Sequence, residues 1–250
     1  MTTVIGGITS DVLFFSELLF IGFVLSELFE MNLSIEKTVL YSCGAVIFTE
    51  ICGLLFYSSI SHTGIFDMVT DYVSNNLELT MVLYRNMGMP EENIRIISDS
   101  REQIEYVLAR ILPSVVIIFT IFVVWTNLII AKPIFKRKGL FYPDFGILNQ
   151  WRATEFLVWA VIGSGLMLLM PDRAIKLIGV NILMVLIPVY FFQGIAIISY
   201  FLEKKKIPLL VKILLYSIIA LQQVFLFLVI VMGFFDMWLN FRKLNNNSTV

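Results

Sequence analysis

Long uncharged stretches alternate with short charged ones along this chain. The longest, Leu177–Leu202, holds no full charge and is followed, after Glu203, by Lys204, Lys205 and Lys206. An apolar run of more than about 20 residues crosses a bilayer as a helix. Lysines clustered at one end of such a run stay on the cytoplasmic side. The stretch Ile175–Lys206 therefore predicts one span and sets its direction. Five further runs follow the same pattern: Val12–Phe29, Thr38–Tyr57, Val107–Ala131, Glu155–Met170 and Leu209–Leu239. The expectation is an all-α, multi-pass transmembrane helical bundle of about six spans.

Punctuation between the runs supports this division. Thr9-Ser10-Asp11 is a helix-start cluster, and Pro171-Asp172-Arg173 and Glu203–Pro208 read as tight turns. Lys132, Lys136, Arg137 and Lys138 mark an inner loop, and Phe141, Tyr142, Phe145 and Trp151 suit the headgroup layer beside it. Counting six spans puts both termini outside. Arg242 and Lys243 then lie on the outer side, against the positive-inside tendency. A re-entrant break at Gln222-Gln223 would return the C-terminus inside and is the alternative. Asn245–Val250 is a short polar tail. Small residues at Gly22 and Ser26, and at Gly163-Ser164-Gly165, predict places where helices approach closely.

One region departs from the apolar pattern. In Ser58–Glu105, Val69, Val73, Leu77, Met81 and Tyr84 recur every three or four residues while polar residues take the other faces, which predicts an amphipathic helix. Gly88 closes it. Pro90-Glu91-Glu92 opens a second helix with proline at its first position. Asp99–Gln103 looks like a capping box leading without a break into the third span. The region carries eight acids and three arginines. The expected organisation is thus 1–58 for spans one and two, 59–106 for an acidic amphipathic segment, and 107–250 for spans three to six.

Composition narrows the class. The 250 residues are 58% hydrophobic and 15% charged, with mean hydropathy +0.87, well beyond what a soluble core of this size hides. The formal net charge of −1 offers no field for nucleic acid. Met1–Asp11 has no basic residue of the kind that opens a secretory leader, so the first apolar run is expected to stay as a span. Cys43 and Cys52 lie nine residues apart on one helix, beyond disulfide reach, and read as packing residues. With a single histidine, His62, no metal site is expected. No phosphate-binding loop, zinc-protease motif or nucleophile elbow occurs. Neither a cofactor nor enzymatic activity is expected.

Candidate chemistry rests on polar groups inside the spans. Glu50, with Glu17 on the adjacent helix, is costly at bilayer depth and is a candidate for ligand or proton handling; a neutral acid hydrogen-bonded to a neighbour is the plainer account. Pro188 removes the hydrogen bond to Met184, and Asn181 stands on the same face, so the two suggest either a binding position or a simple kink. Gln193 and Gln222-Gln223 read as ligand contacts or as polar glue. Pro113 and Pro188 are candidate hinges. Arg152 and Glu155 suggest a local ion pair or a docking contact for a partner.

Trp151–Trp159, Tyr190–Ala196, Phe201–Pro208, Leu215-Tyr216 and Gly233–Lys243 together resemble the YybS-like family of predicted bacterial membrane proteins, over about residues 145–243. That family is similar in outline to the substrate-binding S-components of energy-coupling factor transporters. The resemblance implies a location in the bacterial cytoplasmic membrane, a transport-type subunit with a small-molecule ligand, and separate membrane or ATPase subunits as partners beside the lipid bilayer itself. A non-transport scaffold, docking a partner through the amphipathic segment, is the alternative.

Overall fold

The computed structural model describes residues 10–243, so Thr9 of the predicted helix start and the tail Asn245–Val250 lie outside the described residues. All the regular structure described is helical: α1 Ser10–Glu30, α2 Ile35–Ser61, α3 Ile65–Asn86, α4 Glu91–Asp99, α5 Arg101–Lys138, α6 Phe156–Leu169, α7 Arg173–Lys204, α8 Leu209–Leu221 and α9 Gln223–Leu239, with a 3₁₀ turn at Leu148–Gln150. The chain divides into two compact units, Met1–Tyr142 and Pro143–Val250. The third predicted span, within α5, belongs to the first of them.

In the first unit α2 packs against α1 and α5, and α3 packs against α5. Ile21, Val46, Val124 and Leu128 are buried almost completely. Residues in the left-handed region turn the chain where helices stop, as His62 does after α2 (φ 53°) and Gly139 after α5 (φ 65°). The amphipathic segment folds as its periodicity predicts. Val73 and Met81 of α3 are buried, and Val69, Leu77 and Tyr84 are half-buried beside them. Arg101 anchors this face to α5, donating to Glu105 (2.8 Å) and to the Ser74 hydroxyl (2.8 Å). Ser100 precedes α5, within the expected start, but its side chain makes no capping bond, so the capping box does not form. Pro90 likewise sits just before α4 instead of at its first position. Helix α5 then runs unbroken through Pro113, which is exposed.

The second unit is built around α7, which packs against α6 and α9. Val158, Leu186 and Tyr190 form its apolar centre. Glycine decides the seam between α7 and α9. A Cβ placed on Gly233 would overlap the carbonyl oxygen of Tyr190, and one on Gly194 would overlap that of Val229. Gly179 approaches the Ser164 carbonyl in the same way, at 2.8 Å from its would-be Cβ. By contrast Gly22, Gly163 and Gly165 have open space where a Cβ would go, so the glycines of the expected close-packing motifs are not the ones in contact. Only Ser164 of that set is buried at a helix crossing.

By length and composition, three described helices are able to cross a bilayer: α2, α5 and α7. A fourth counts if α8 and α9 are taken together, but the pair is bent by 100°. The cause is Gln222, whose extended backbone (φ −109°, ψ 112°) separates two helical segments. The span expected from Leu209 to Leu239 is therefore not one straight helix, and α6 has only 14 residues. A multi-pass helical architecture stands; the count of six does not follow from length and composition alone.

Candidate functional site

Asp236, near the end of α9, is fully buried. A lone carboxylate there would be costly, so it has to be paired and hydrogen-bonded. The backbone supplies the means. Asn240 adopts a left-handed conformation (φ 41°, ψ 57°) and its N–H bonds back to the Asp236 carbonyl. The chain thus doubles back, and the Phe241 N–H donates to Asp236 Oδ1 at 3.0 Å while Arg242 Nη2 donates to Oδ2 at 2.8 Å. Both side chains of this ion pair are wholly buried.

Three other segments close around the pair. Arg242 Nη1 donates to the carbonyls of Asn149 (2.8 Å) and Trp151 (3.0 Å), holding the segment that leads into α6. Asn149 Nδ2 donates to Glu203 Oε2 at 2.5 Å, tying that segment to the end of α7. Arg152 Nε lies 3.6 Å from Asp236 Oδ2, and Arg152 Nη2 donates to Asn240 Oδ1. From α7, Gln193 Nε2 donates to Asp236 Oδ2 (3.4 Å) and Gln193 Oε1 accepts from the Ala153 N–H (3.2 Å). Gln193 sits eleven residues before Lys204, about 16 Å along the helix. Burial pulls the Arg242 guanidinium below its ordinary value. Asp236 opposes that shift and the nearby positive charge of Arg152 adds to it. Two arginines thus share one buried carboxylate.

Beside this network lies a cavity of about 80 Å³, walled by Arg152, Ala153, Thr154, Glu155, Tyr190 and Gln193, with Asn240 and apolar Val158 and Met237 completing it. Its size suits a single small polar group or a few waters; sites for larger metabolites run to about 300 Å³ and beyond. The Tyr190 ring packs edge-on against Phe234, 5.3 Å between centroids. Its hydroxyl is buried without a hydrogen-bond partner.

The predicted site residues separate into groups. Gln193 and Arg152 come together here, and Glu155 stands exposed at the rim, capping α6 through its backbone. Arg152 reaches inward to Asp236 and Asn240, which the sequence did not suggest. Asn181 is on the same helix as Gln193 but outside the cavity; its amide donates to the Leu177 carbonyl at 2.7 Å. Pro188 is buried within an unbroken α7. Glu17 and Glu50 belong to the first unit, where both are half-buried and Glu17 acts electrostatically on Glu50. Cys43 is buried, whereas Cys52 is exposed. Among the described residues no three His, Cys, Asp or Glu side chains are grouped so as to hold a metal ion.

Sequence reasoning missed Asp236, Arg242, Asn149, Asn240 and Tyr190 as site residues. A signal existed for two of them. An acid inside the last apolar run, six residues before an arginine on the disfavoured side, is a pair waiting to be joined by a reversal of the chain.

Compared with known proteins, residues 1–237 match the model of a family described as a predicted membrane protein (DUF2232). The match takes in residues 145–237 of the stretch singled out above and extends back through the first spans to residue 1. No curated protein and no solved structure matches the chain.

Proposed function

The chain belongs to the DUF2232 family of predicted membrane proteins, and from that premise we propose that it is a small-molecule-binding subunit of transport type, resident in the bacterial cytoplasmic membrane. The observation that carries this reading is the cavity beside the Arg152–Asp236–Arg242 network. In a membrane protein, buried ionisable groups beside a cavity are candidates for a functional site by default. A subunit of this kind has no need of catalysis and draws its energy from a separate ATPase partner. The lysines after α7 are cytoplasmic, α1, α2, α5, α6 and α7 cross, and the bent pair α8–α9 enters and returns as the sixth element.

The reading is tested on the purified full-length protein by thermal shift against a broad panel of small solutes. A ligand that stabilises the protein, and does so less in a Gln193→Leu variant, supports it. A panel in which nothing shifts the transition rejects it.

A second reading has its own observation. On α3, Tyr72, Leu79 and Leu83, with Met87 just past its end, form an exposed apolar stripe beside the exposed acids Asp67, Asp71 and Glu78. This surface suits a scaffold that docks a partner with an apolar ridge and a basic rim. Co-purification of a partner that is lost on Leu79→Asp substitution would favour it over transport.

A further inference from the structure

We propose that the cavity of the second unit binds a small oxyanion, a carboxylate or phosphate group, between Arg152, the Tyr190 hydroxyl and the start of α6. The inference rests on the binding-subunit reading above and specifies what is bound.

Three observations converge. Arg152 lines the cavity and keeps 27% of its side chain exposed, so a solute reaches it, and its planar fork suits an oxyanion. Tyr190 lines the same cavity, is only 4% exposed, and buries a hydroxyl that no protein group satisfies. Such an orphan in a native interior calls for an occupant that accepts its hydrogen bond. Thr154 and Glu155, at the N-terminal end of the 14-residue α6, complete the wall. The positive end of a helix dipole favours an anion there.

The charge account points the same way. Within the buried network two arginines, Arg152 and Arg242, face the carboxylate of Asp236. Two carboxylates bear on this. Glu203 lies beyond the cavity and accepts from Asn149. Glu155 lies on the rim and is exposed, so solvent screens its opposition to a bound anion. A cavity of about 80 Å³ admits one oxyanion group and excludes a bulky ring system.

The test uses full-length protein, with sodium phosphate and sodium acetate as probes against sodium chloride at equal ionic strength. Neutral polyols and potassium and ammonium chlorides are run in parallel, with thermal shift and calorimetric titration as readouts. Tyr190→Phe removes a hydroxyl with no partner in the fold, so folding is preserved, and it should weaken phosphate or acetate binding about tenfold or more. Glu155→Gln removes the opposing rim charge and should strengthen binding about two- to fivefold. A parallel arm compares nanodiscs of phosphatidylglycerol with nanodiscs of phosphatidylcholine. Stabilisation by the anionic lipid alone, lost in Tyr190→Phe, would identify the oxyanion as a lipid phosphate; stabilisation by free phosphate or acetate identifies a soluble ligand. Binding of anions that neither variant alters would overturn the proposal. So would shifts by neutral or cationic solutes only, which leave the binding-subunit reading standing. No shift by any solute or lipid would remove both.

Discussion

Replacing Gly233 with alanine should destabilise the second unit, and a matched control isolates the reason. The new methyl group would overlap the Tyr190 carbonyl oxygen and lie 2.8 Å from the Gly194 nitrogen. Both are helix backbone, so no flexible side chain can swing aside. Helix α9 must move off α7, and a gap of about 1 Å forfeits a quarter to a half of the dispersion at every contact along the seam. Overpacking of this kind costs about 1–3 kcal/mol. Alanine also gains up to about 1 kcal/mol over glycine in a helix interior, which would mask part of the loss. Gly163 cancels that term. It lies inside α6 with nothing within 4 Å of a would-be Cβ, so Gly163→Ala takes the helix gain without the clash. The difference between the two variants should therefore be about 1–3 kcal/mol, a roughly 5- to 150-fold change in the unfolding equilibrium. Denaturant titration of both variants in mixed micelles, followed by circular dichroism, measures it. If Gly233→Ala proves as stable as Gly163→Ala, the α7–α9 seam described above is wrong. Gly194→Ala should behave like Gly233→Ala, and the double variant should cost less than the sum because the two glycines touch.

Other consequences are open to direct measurement. Asp236→Ala strands Arg242 in a fully buried position and should cost about 3–5 kcal/mol, whereas Asp236→Leu combined with Arg242→Met should recover much of that loss; equal instability of single and double variants would contradict the pairing. Tyr142→Phe deletes a 2.9 Å hydrogen bond to the Leu128 carbonyl and should cost about 1 kcal/mol, read by the same titration. Burial pushes the Tyr142 phenol up to about 12. Its neutral form is favoured by folding, so this stabilisation is complete below about pH 10 and is lost as the pH rises towards 12. The loss should be absent in Tyr142→Phe. In a background without Cys43 and Cys52, cysteines at Lys206 and Lys243 should react with an impermeant thiol reagent from the same side of the membrane, because Arg242 is held at the end of the unit where α6 begins and α7 ends. Labelling from opposite sides would restore the straight sixth span.

The helices that sequence reasoning located well are those whose pattern is local. The amphipathic face of α3, the continuity of α5 from Arg101 through its apolar run, and the full length of α7 are all set by periodicity or by unbroken hydrophobicity. Close approach between helices is a property of pairs, and one chain's small residues do not say which neighbour they meet. Gly163 and Gly165 carried the expected motif, yet Gly179, Gly194 and Gly233 make the contacts. The site was partly legible for a related reason. Gln193 and Arg152 stand out as polar groups in or beside apolar runs. Asp236 and Arg242 needed the left-handed turn at Asn240 to meet, and a short-range reversal after a hydrophobic run leaves little trace in composition. The conflict between Arg242 and the expected outer side was the trace available.

The short helices of the second unit bear on the lipid around it. Helix α6 has 14 residues and α9 has 17, which is about 21 and 26 Å of rise. The hydrocarbon layer is about 30 Å thick. If α6 crosses as proposed, the leaflets beside it must draw inward, at a cost of fractions of a kcal/mol per ångström of mismatch. A membrane of shorter acyl chains would relieve that deformation, so acyl-chain length should govern how stably this half of the protein inserts.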